Sequence, residues 1–154
     1  MIEITLTPAE IMFGASAGVM REVANIKNGA KHKYGATDKN DWQMHIEGAL
    51  AEMALAKHLN IYWSGKGAIT LPDVGDQDVR VSASHNNRLI LHPDDHDGRR
   101  YWLVTGQYGS YRIKGWILGR DGKRDEFWSD PSGSGRPAFF VPQCALTPGV
   151  VFNV

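Results

Sequence analysis

The sequence predicts an α+β domain in which a mixed central β-sheet is flanked by N-terminal helices. The first sixty residues contain two long helical patterns with capping residues, whereas residues 68–142 consist of short apolar segments between Gly-, Pro- and Asp-rich turns. Helices followed by a run of strands are typical of an α+β fold. No repeat or linker is visible, and 154 residues are enough for one hydrophobic core, so we expect a single domain over residues 1–154.

The amino-acid composition excludes several classes of protein. The 17 basic and 17 acidic residues cancel, which argues against a strongly electrostatic nucleic-acid binder but leaves room for a local basic patch. Cys144 is the only cysteine, so an internal disulfide is excluded and a reducing compartment is favoured. No apolar run is long enough to span a membrane and no secretory signal is visible, which predicts a cytoplasmic protein without a membrane partner.

The first helix has clear start and stop signals. It follows an alternating strand over residues 2–6, and Thr7, Pro8 and Glu10 form a capping box with proline at the first helical position. The Asn28-Gly29 pair should end it. Helical spacing predicts a core-facing stripe consisting of Ile11, Met12, Ala15, Val19, Val23 and Ile26.

A polar loop over residues 27–41 leads to the second helix, which should run from Trp42 to Leu59. Its glutamates, Glu47 and Glu52, point to different faces because five residues turn a helix by about 140°. Small neighbours leave the Glu52 carboxylate accessible from another element, although a solvent-facing glutamate is an equal alternative. The core-facing stripe should consist of Ile46, Leu50, Met53 and Ala54.

The other apolar segments predict strands. They lie at residues 68–71, 79–81, 88–92, 101–105, 110–113, 115–119 and 138–142, whereas residues 129–137, rich in Gly, Ser and Pro, should be irregular.

Residues 71–81, Leu-Pro-Asp-Val-Gly-Asp-Gln-Asp-Val-Arg-Val, contain the side chains most suited to chemistry. Asp78 and Arg80 alternate with valines, so they should share one face of a half-buried strand, about 7 Å apart. Asp73 precedes a turn at Gly75 that could fold it back toward them. Clustered carboxylates beside a cation suit a hard divalent ion, which predicts a Mg²⁺ or Mn²⁺ site.

An ordinary polar turn is the alternative interpretation of this stretch. Asp and Gly are favoured in turns for conformational reasons alone, and Asp78 could form a surface salt bridge with Arg80. Asp76 is an alternative metal ligand, but its place within the turn favours a capping role.

The glutamate helix and the acidic hairpin together resemble the PD-(D/E)xK nuclease superfamily. Pro72-Asp73 matches the first acidic motif, Asp78-Val79-Arg80 matches (Asp/Glu)-x-Lys, and the segment Gly48-Ala49-Leu50-Ala51-Glu52 is similar to the Gly-x-x-x-Glu helix of several members. The resemblance implies a restriction-endonuclease-like core and metal-dependent hydrolysis of phosphodiester bonds in nucleic acid, with DNA as the first expectation. It assigns Glu52, Asp73 and Asp78 as ligands of Mg²⁺ or Mn²⁺ and, with Arg80, as catalytic residues.

A longer resemblance, over residues 42–148, is to small proteins of tailed phages and prophages. It implies a location in the cytoplasm of an infected or lysogenic bacterial host. The matching segments are 48–63, 72–75, 79–80, 101–106, 115–119 and 139–142.

Arg80 departs from the superfamily pattern, which has lysine at this position. Arginine can stabilise developing negative charge but does not readily lose a proton, so activation of water would depend on the metal and a carboxylate.

The sequence does not decide between a monomer and a homodimer. Contacts to the nucleic-acid backbone are assigned to Lys31, Lys33, Arg112 and Lys114.

Two other functions stay open. Arg80, together with Asp78 in place of the commoner glutamate, could mark a nuclease-fold phage protein that binds DNA or a host protein without chemistry. The second alternative is an enzyme built on histidines. The His92-x-x-x-His96 spacing lies in a Pro-Asp loop, however, which disfavours the helical zinc motif.

Overall fold

The computed structural model describes residues 2–29, 40–67 and 71–149 and has an α+β architecture. A four-stranded mixed sheet carries helices on one face and a three-stranded sheet on the other. The predicted α+β class, with a mixed sheet and N-terminal helices, is therefore confirmed. The elements are β1 (Ile2–Thr5), α1 (Pro8–Asn28), α2 (Asp41–Leu59), β2 (Gln77–Ser82), β3 (Leu89–Leu91), β4 (Arg100–Gln107), β5 (Ser110–Leu118), α3 (Gly119–Gly122), β6 (Trp128–Ser129) and β7 (Ala138–Val141).

The larger sheet has the order β1-β5-β4-β2. β4 and β5 form an antiparallel hairpin, β1 pairs antiparallel with β5, and β2 pairs parallel with β4. The segments 110–113 and 115–119, predicted as separate, form the single strand β5, whose register against β4 shifts near Lys114. On β2, Asp78 lies opposite Tyr101 and Arg80 opposite Leu103.

Two hydrophobic cores lie on the two faces of this sheet. The first packs α2 against residues that include Val79, Trp102 and Val104. The second packs the smaller sheet, with order β3-β7-β6, against Tyr101 and Leu103. Two of the predicted strands, β3 and β7, therefore belong to a separate layer rather than to the central sheet.

Both ends of α1 follow the predicted signals. Thr7 and Glu10 form the reciprocal capping box of α1, and Gly29 ends that helix in the left-handed conformation at φ 63°. The Asn40 side chain accepts a hydrogen bond from the Gln43 backbone N–H and caps α2. None of the described helices combines the length and the apolar character that a membrane crossing requires.

The predicted core face of α1 is wrong. Gly14, Gly18 and Glu22 are the buried residues of this helix. The two glycines allow α1 to approach α2 so closely that a Cβ on Gly18 would lie 2.5 Å from the Ile46 Cα. The predicted stripe instead points outward over much of its length, and its exposed members are Met12, Val19, Val23 and Ile26.

Candidate functional site

A tight turn places Asp73 against the start of β2. Val74 and Gln77 exchange backbone hydrogen bonds of 2.9 Å, and Gly75 has a φ of +59° between them. The Val79 N–H then donates to Asp73 Oδ2 at 2.9 Å, and the Asp73 N–H donates to Asp78 Oδ1 at 3.3 Å. The turn therefore folds Asp73 back onto the strand, as the sequence predicted.

Glu52 enters the same region from α2, and it is buried rather than solvent-facing. Its side chain forms a two-pronged ion pair with Arg21 of α1, with Nη1–Oε1 at 2.9 Å and Nη2–Oε2 at 2.7 Å. The buried Trp63 indole also donates to Glu52 Oε2, at 3.1 Å. Both Glu52 oxygens are therefore held by donors inside the protein.

Asp78 and Arg80 form ion pairs with other residues rather than with each other. Arg99 Nη1 donates to Asp78 Oδ2 at 3.0 Å, and Arg80 Nη2 donates to Asp95 Oδ1 at 2.8 Å. The Arg80 guanidinium also lies 4.9 Å from the ring centre of Tyr101. The surface salt bridge between Asp78 and Arg80 that the alternative interpretation allowed is therefore not formed, whereas their shared strand face follows from the pairing of β2 with β4.

Glu52, Asp73 and Asp78, which we name the carboxylate cluster, interact electrostatically around Asp73. Burial raises the pKa of Asp73 from its ordinary value of 3.8 to about 7, and the negative charges of Glu52 and Asp78 contribute to the rise. The Val79 N–H and the Arg80 charge oppose it. A carboxyl group with this pKa exchanges its proton near neutral pH, so a proton or another cation is favoured at Asp73.

The raised pKa predicts that Asp73 makes the fold less stable as the pH rises. Between about pH 4 and 7 the native state keeps a proton that the unfolded chain has lost, so the free energy of unfolding falls across this window. Asp73→Asn keeps an oxygen for the Val79 N–H but cannot ionise. We expect the variant to be about 1–3 kcal/mol more stable than wild type at pH 8, with little difference at pH 4.

Urea unfolding from pH 4 to 8 in EDTA measures this difference. Asp76→Asn is the matched control, because Asp76 is an exposed carboxylate in the same turn, and its profile should follow wild type. An Asp73→Asn protein that is less stable than wild type at pH 8 would contradict the assignment.

The donor chemistry of the carboxylate cluster fits a hard divalent cation bound by two carboxylates. In the described part of the chain, no group of three or more His, Cys, Asp or Glu side chains is placed to hold one ion. Asp73 Oδ1, however, accepts no hydrogen bond from the described residues, and it belongs to the carboxyl group with the raised pKa. Mg²⁺ commonly binds one or two carboxylates and completes its shell with water and phosphate. Asp73 offers such an ion an oxygen without a described donor, whereas both oxygens of Asp78 and of Glu52 already accept hydrogen bonds within the protein.

A groove of about 1130 Å³ with a mixed polar and apolar lining runs past β2, between the first turns of α2 and the smaller sheet. Arg80 contributes to its lining, whereas the three carboxylates do not. Arg80 therefore links the groove to β2, the strand that also carries Asp78. Its other polar lining residues are Asn40, Gln43, Glu47, Ser82, Ser84, Asn86, Asn87, Arg88, His92 and Gln107.

The predicted nucleic-acid contacts lie away from this groove or outside the described residues. Arg112 is on β5 and pairs with Glu3 of β1 at 3.1 Å, so β4 separates it from β2. Lys114 lies on the same strand, at the register shift. Lys31 and Lys33 fall outside the described residues. The lining of the groove was not anticipated from the sequence.

The histidine alternative finds no described cluster that supports it. His45 lies 3.2 Å from Glu22, His85 bonds to Thr105, and His58 is buried beside Trp102. His96 accepts a hydrogen bond from the Gly98 N–H through Nδ1. No three such groups among the described residues are placed around one ion.

Sequence reasoning missed the partners of the carboxylate cluster. Arg21 comes from α1, whereas Arg99 comes from the loop between β3 and β4, as does Asp95, the partner of Arg80; none belongs to a recognisable motif. One signal was available for Arg21. The small residues Gly14 and Gly18 are four apart, which is typical of close helix packing, and they indicate the face of α1 that turns toward α2.

Comparisons of the chain with protein-family models, with curated proteins and with solved structures found no match. The superfamily resemblance of the sequence therefore stays a prediction.

Proposed function

We propose that the chain is a nuclease that hydrolyses phosphodiester bonds in nucleic acid with Mg²⁺ or Mn²⁺, on a restriction-endonuclease-like core. The observation that supports this most is that a tight turn folds Asp73 onto the strand that carries Asp78, where the charges of Glu52 and Asp78 help to raise the pKa of Asp73. These are the three carboxylates assigned by the resemblance to the superfamily. The proposal extends to a phage-encoded protein that acts on DNA.

The roles follow from the contacts of each side chain. Asp73 and Asp78 would hold the cation, which when bound would supply a Lewis acid for the phosphate and a more acidic water. Arg99 fixes Asp78 through Oδ2, and the Asp73 N–H fixes it through Oδ1, so its carboxylate is held in one orientation. Glu52 adds negative charge that favours a cation at Asp73. Arg21 holds the Glu52 side chain in place through their ion pair.

The polar side chains that line part of the groove are suited to a nucleic-acid strand. Their amide and hydroxyl groups can bond sugar and phosphate oxygens, and Arg88 adds positive charge. Arg80 lines the groove and lies on the strand that carries Asp78, so it is the residue that would act on a phosphate bound between the groove and the cation. There the guanidinium would stabilise the negative charge that develops during hydrolysis.

Cleavage of labelled single- and double-stranded DNA in Mn²⁺ tests the proposal. Asp73→Asn and Asp78→Asn should each reduce the cleavage rate by about 100-fold or more, because each removes a ligand charge. Asp76→Asn, in the same turn, should cleave at the wild-type rate. Equal cleavage by all four proteins would exclude the carboxylate cluster as the active site.

EDTA provides the second control. EDTA should abolish the activity if the reaction requires a divalent cation. Cleavage that survives EDTA and disappears in a histidine variant would instead support the enzyme built on histidines.

A binding protein without chemistry is the second candidate function. One observation favours it: Glu52, Asp78 and Arg80 are each already paired with an oppositely charged residue. This candidate predicts that Mn²⁺ leaves the melting temperature unchanged, whereas a cation site at Asp73 predicts a rise that Asp73→Asn removes.

A further inference from the structure

The outward face of α1 is apolar and carries no charge from Pro8 to Ile26. Its large side chains are well exposed, with Met12 at 73%, Met20 at 71% and Ile26 at 60% of their full accessible surface. A contiguous apolar patch on a solvent-facing helix is typical of an interaction surface. We name this patch the α1 face, and it consists of Met12, Phe13, Ser16, Val19, Met20, Val23 and Ile26.

The charged residues of α1 point in the opposite direction. Glu10 pairs with Lys57, Arg21 with Glu52, and Glu22 lies 3.2 Å from His45, so every charge before Lys27 is directed to α2. An ordinary surface helix has the reverse arrangement, with charges in water and apolar residues in the core. The distribution in α1 indicates that its outer face is also a packing surface.

The one polar side chain at the centre of the α1 face is already satisfied. Ser16 Oγ donates to the Met12 carbonyl oxygen at 2.8 Å, within its own helix. Burial of this hydroxyl would therefore leave no donor without a partner, and the usual penalty for burying a polar group would not apply.

We propose that the α1 face is a self-association surface, on which α1 of a second copy of this chain packs across a two-fold axis. The exposed side chains recur at intervals of seven residues, as Met12–Val19–Ile26, Phe13–Met20 and Ser16–Val23, which is the repeat of paired helices. Because the surface is uncharged, two copies can meet without repulsion. The inference does not depend on the nuclease proposal.

The area available is close to what a stable dimer needs. From the exposed fractions, the six apolar side chains offer roughly 600 Å² on each copy, against about 800 Å² per partner in a standard interface. An interface of this size with an apolar centre is consistent with dissociation in the micromolar range. A lipid surface is the less suitable partner, because interfacial helices carry several basic residues beside their apolar face and α1 offers only Lys27 there.

Sedimentation equilibrium of the full chain from about 1 to 100 µM tests the proposal. Wild type should approach twice the 17.1 kDa of one chain, and Met12→Glu/Met20→Glu should remain at the mass of one chain with an unchanged circular dichroism spectrum. Ser132→Glu/Thr147→Glu adds the same charge at exposed positions elsewhere and should behave as wild type. Wild type that stays at 17.1 kDa to 100 µM, or a Met12/Met20 variant that still dimerises, would overturn the proposal.

Disulfide cross-linking locates the contact. In a Cys144→Ser background, Val19→Cys should form a dimer on mild oxidation, because Val19 is central in the stripe and lies near its own copy in either helix orientation. Ser132→Cys should not. No cross-link at Val19 would overturn the pairing of α1 with α1. Sedimentation of wild type with anionic phospholipid vesicles, together with a monomeric mass, would assign the face to lipid instead.

Discussion

Replacement of Gly18 by alanine should destabilise the fold by about 2–4 kcal/mol. A Cβ at this position would lie 2.5 Å from the Ile46 Cα and 2.6 Å from the His45 carbonyl oxygen, and both are backbone atoms of α2. Backbone cannot move aside as a side chain can, so the two helices must separate. Separation weakens the packing of α1 on α2 and the Arg21–Glu52 ion pair, which together outweigh the better helix propensity of alanine.

Gly48→Ala is the matched control for this prediction. Gly48 lies inside α2, and no heavy atom of another element lies within 4 Å of the Cβ that alanine would add there. Alanine should therefore stabilise the protein by about 0.5–1 kcal/mol through helix propensity alone. Urea unfolding of the two variants measures both effects. A Gly18→Ala protein as stable as wild type would mean that the helices do not pack this closely.

Signals that act within a few residues were predicted well. The Thr7–Glu10 capping box, the Gly29 stop and the turn at Gly75 each depend on the chain over three to six positions, and the structure has all three. The return of Asp73 to β2 belongs to this group, because a tight turn leaves its backbone few alternatives. The local part of the candidate site could therefore be predicted from the sequence.

The orientation of α1 could not be predicted from apolar periodicity. A period of 3.6 residues locates an apolar stripe but does not say whether that stripe faces the core or the outside. In α1 the glycines at 14 and 18 allow a closer contact than the larger side chains could make. The glycine face therefore packs against α2, and the stripe at Met12, Val19 and Ile26 faces away from the core.

The ion-pair partners were also beyond sequence reasoning. Arg21 is 31 positions from Glu52, and Arg99 is 21 positions from Asp78, with whole elements between them. Such pairs depend on the tertiary packing of helix on helix and of strand on strand. The sequence indicated which carboxylates lie near one another, but not that arginines already hold two of them.

Glu52→Gln should reduce the free energy of unfolding by about 2–4 kcal/mol at pH 7. Glutamine retains an oxygen for the Trp63 indole, so the main loss is the negative charge that Arg21 requires in a largely buried site. The removal of one partner leaves the other charge without compensation, which is why a buried pair is costly to break. Urea unfolding measures the loss, with Glu126→Gln as a control at the exposed Arg124–Glu126 pair, where about 0–1 kcal/mol is expected.

The pH dependence of the same variant separates an electrostatic role of Glu52 from a purely structural one. Burial is the first cause of the raised Asp73 pKa and the Glu52 charge is the second, so Glu52→Gln should lower that pKa. The fall in stability between about pH 4 and 7 would then be shallower than in wild type, although the variant is less stable at every pH. A slope equal to that of wild type would show that Glu52 does not act on Asp73. The carboxylate cluster would then lose its third member, and with it the support for a helix glutamate that favours a cation at Asp73.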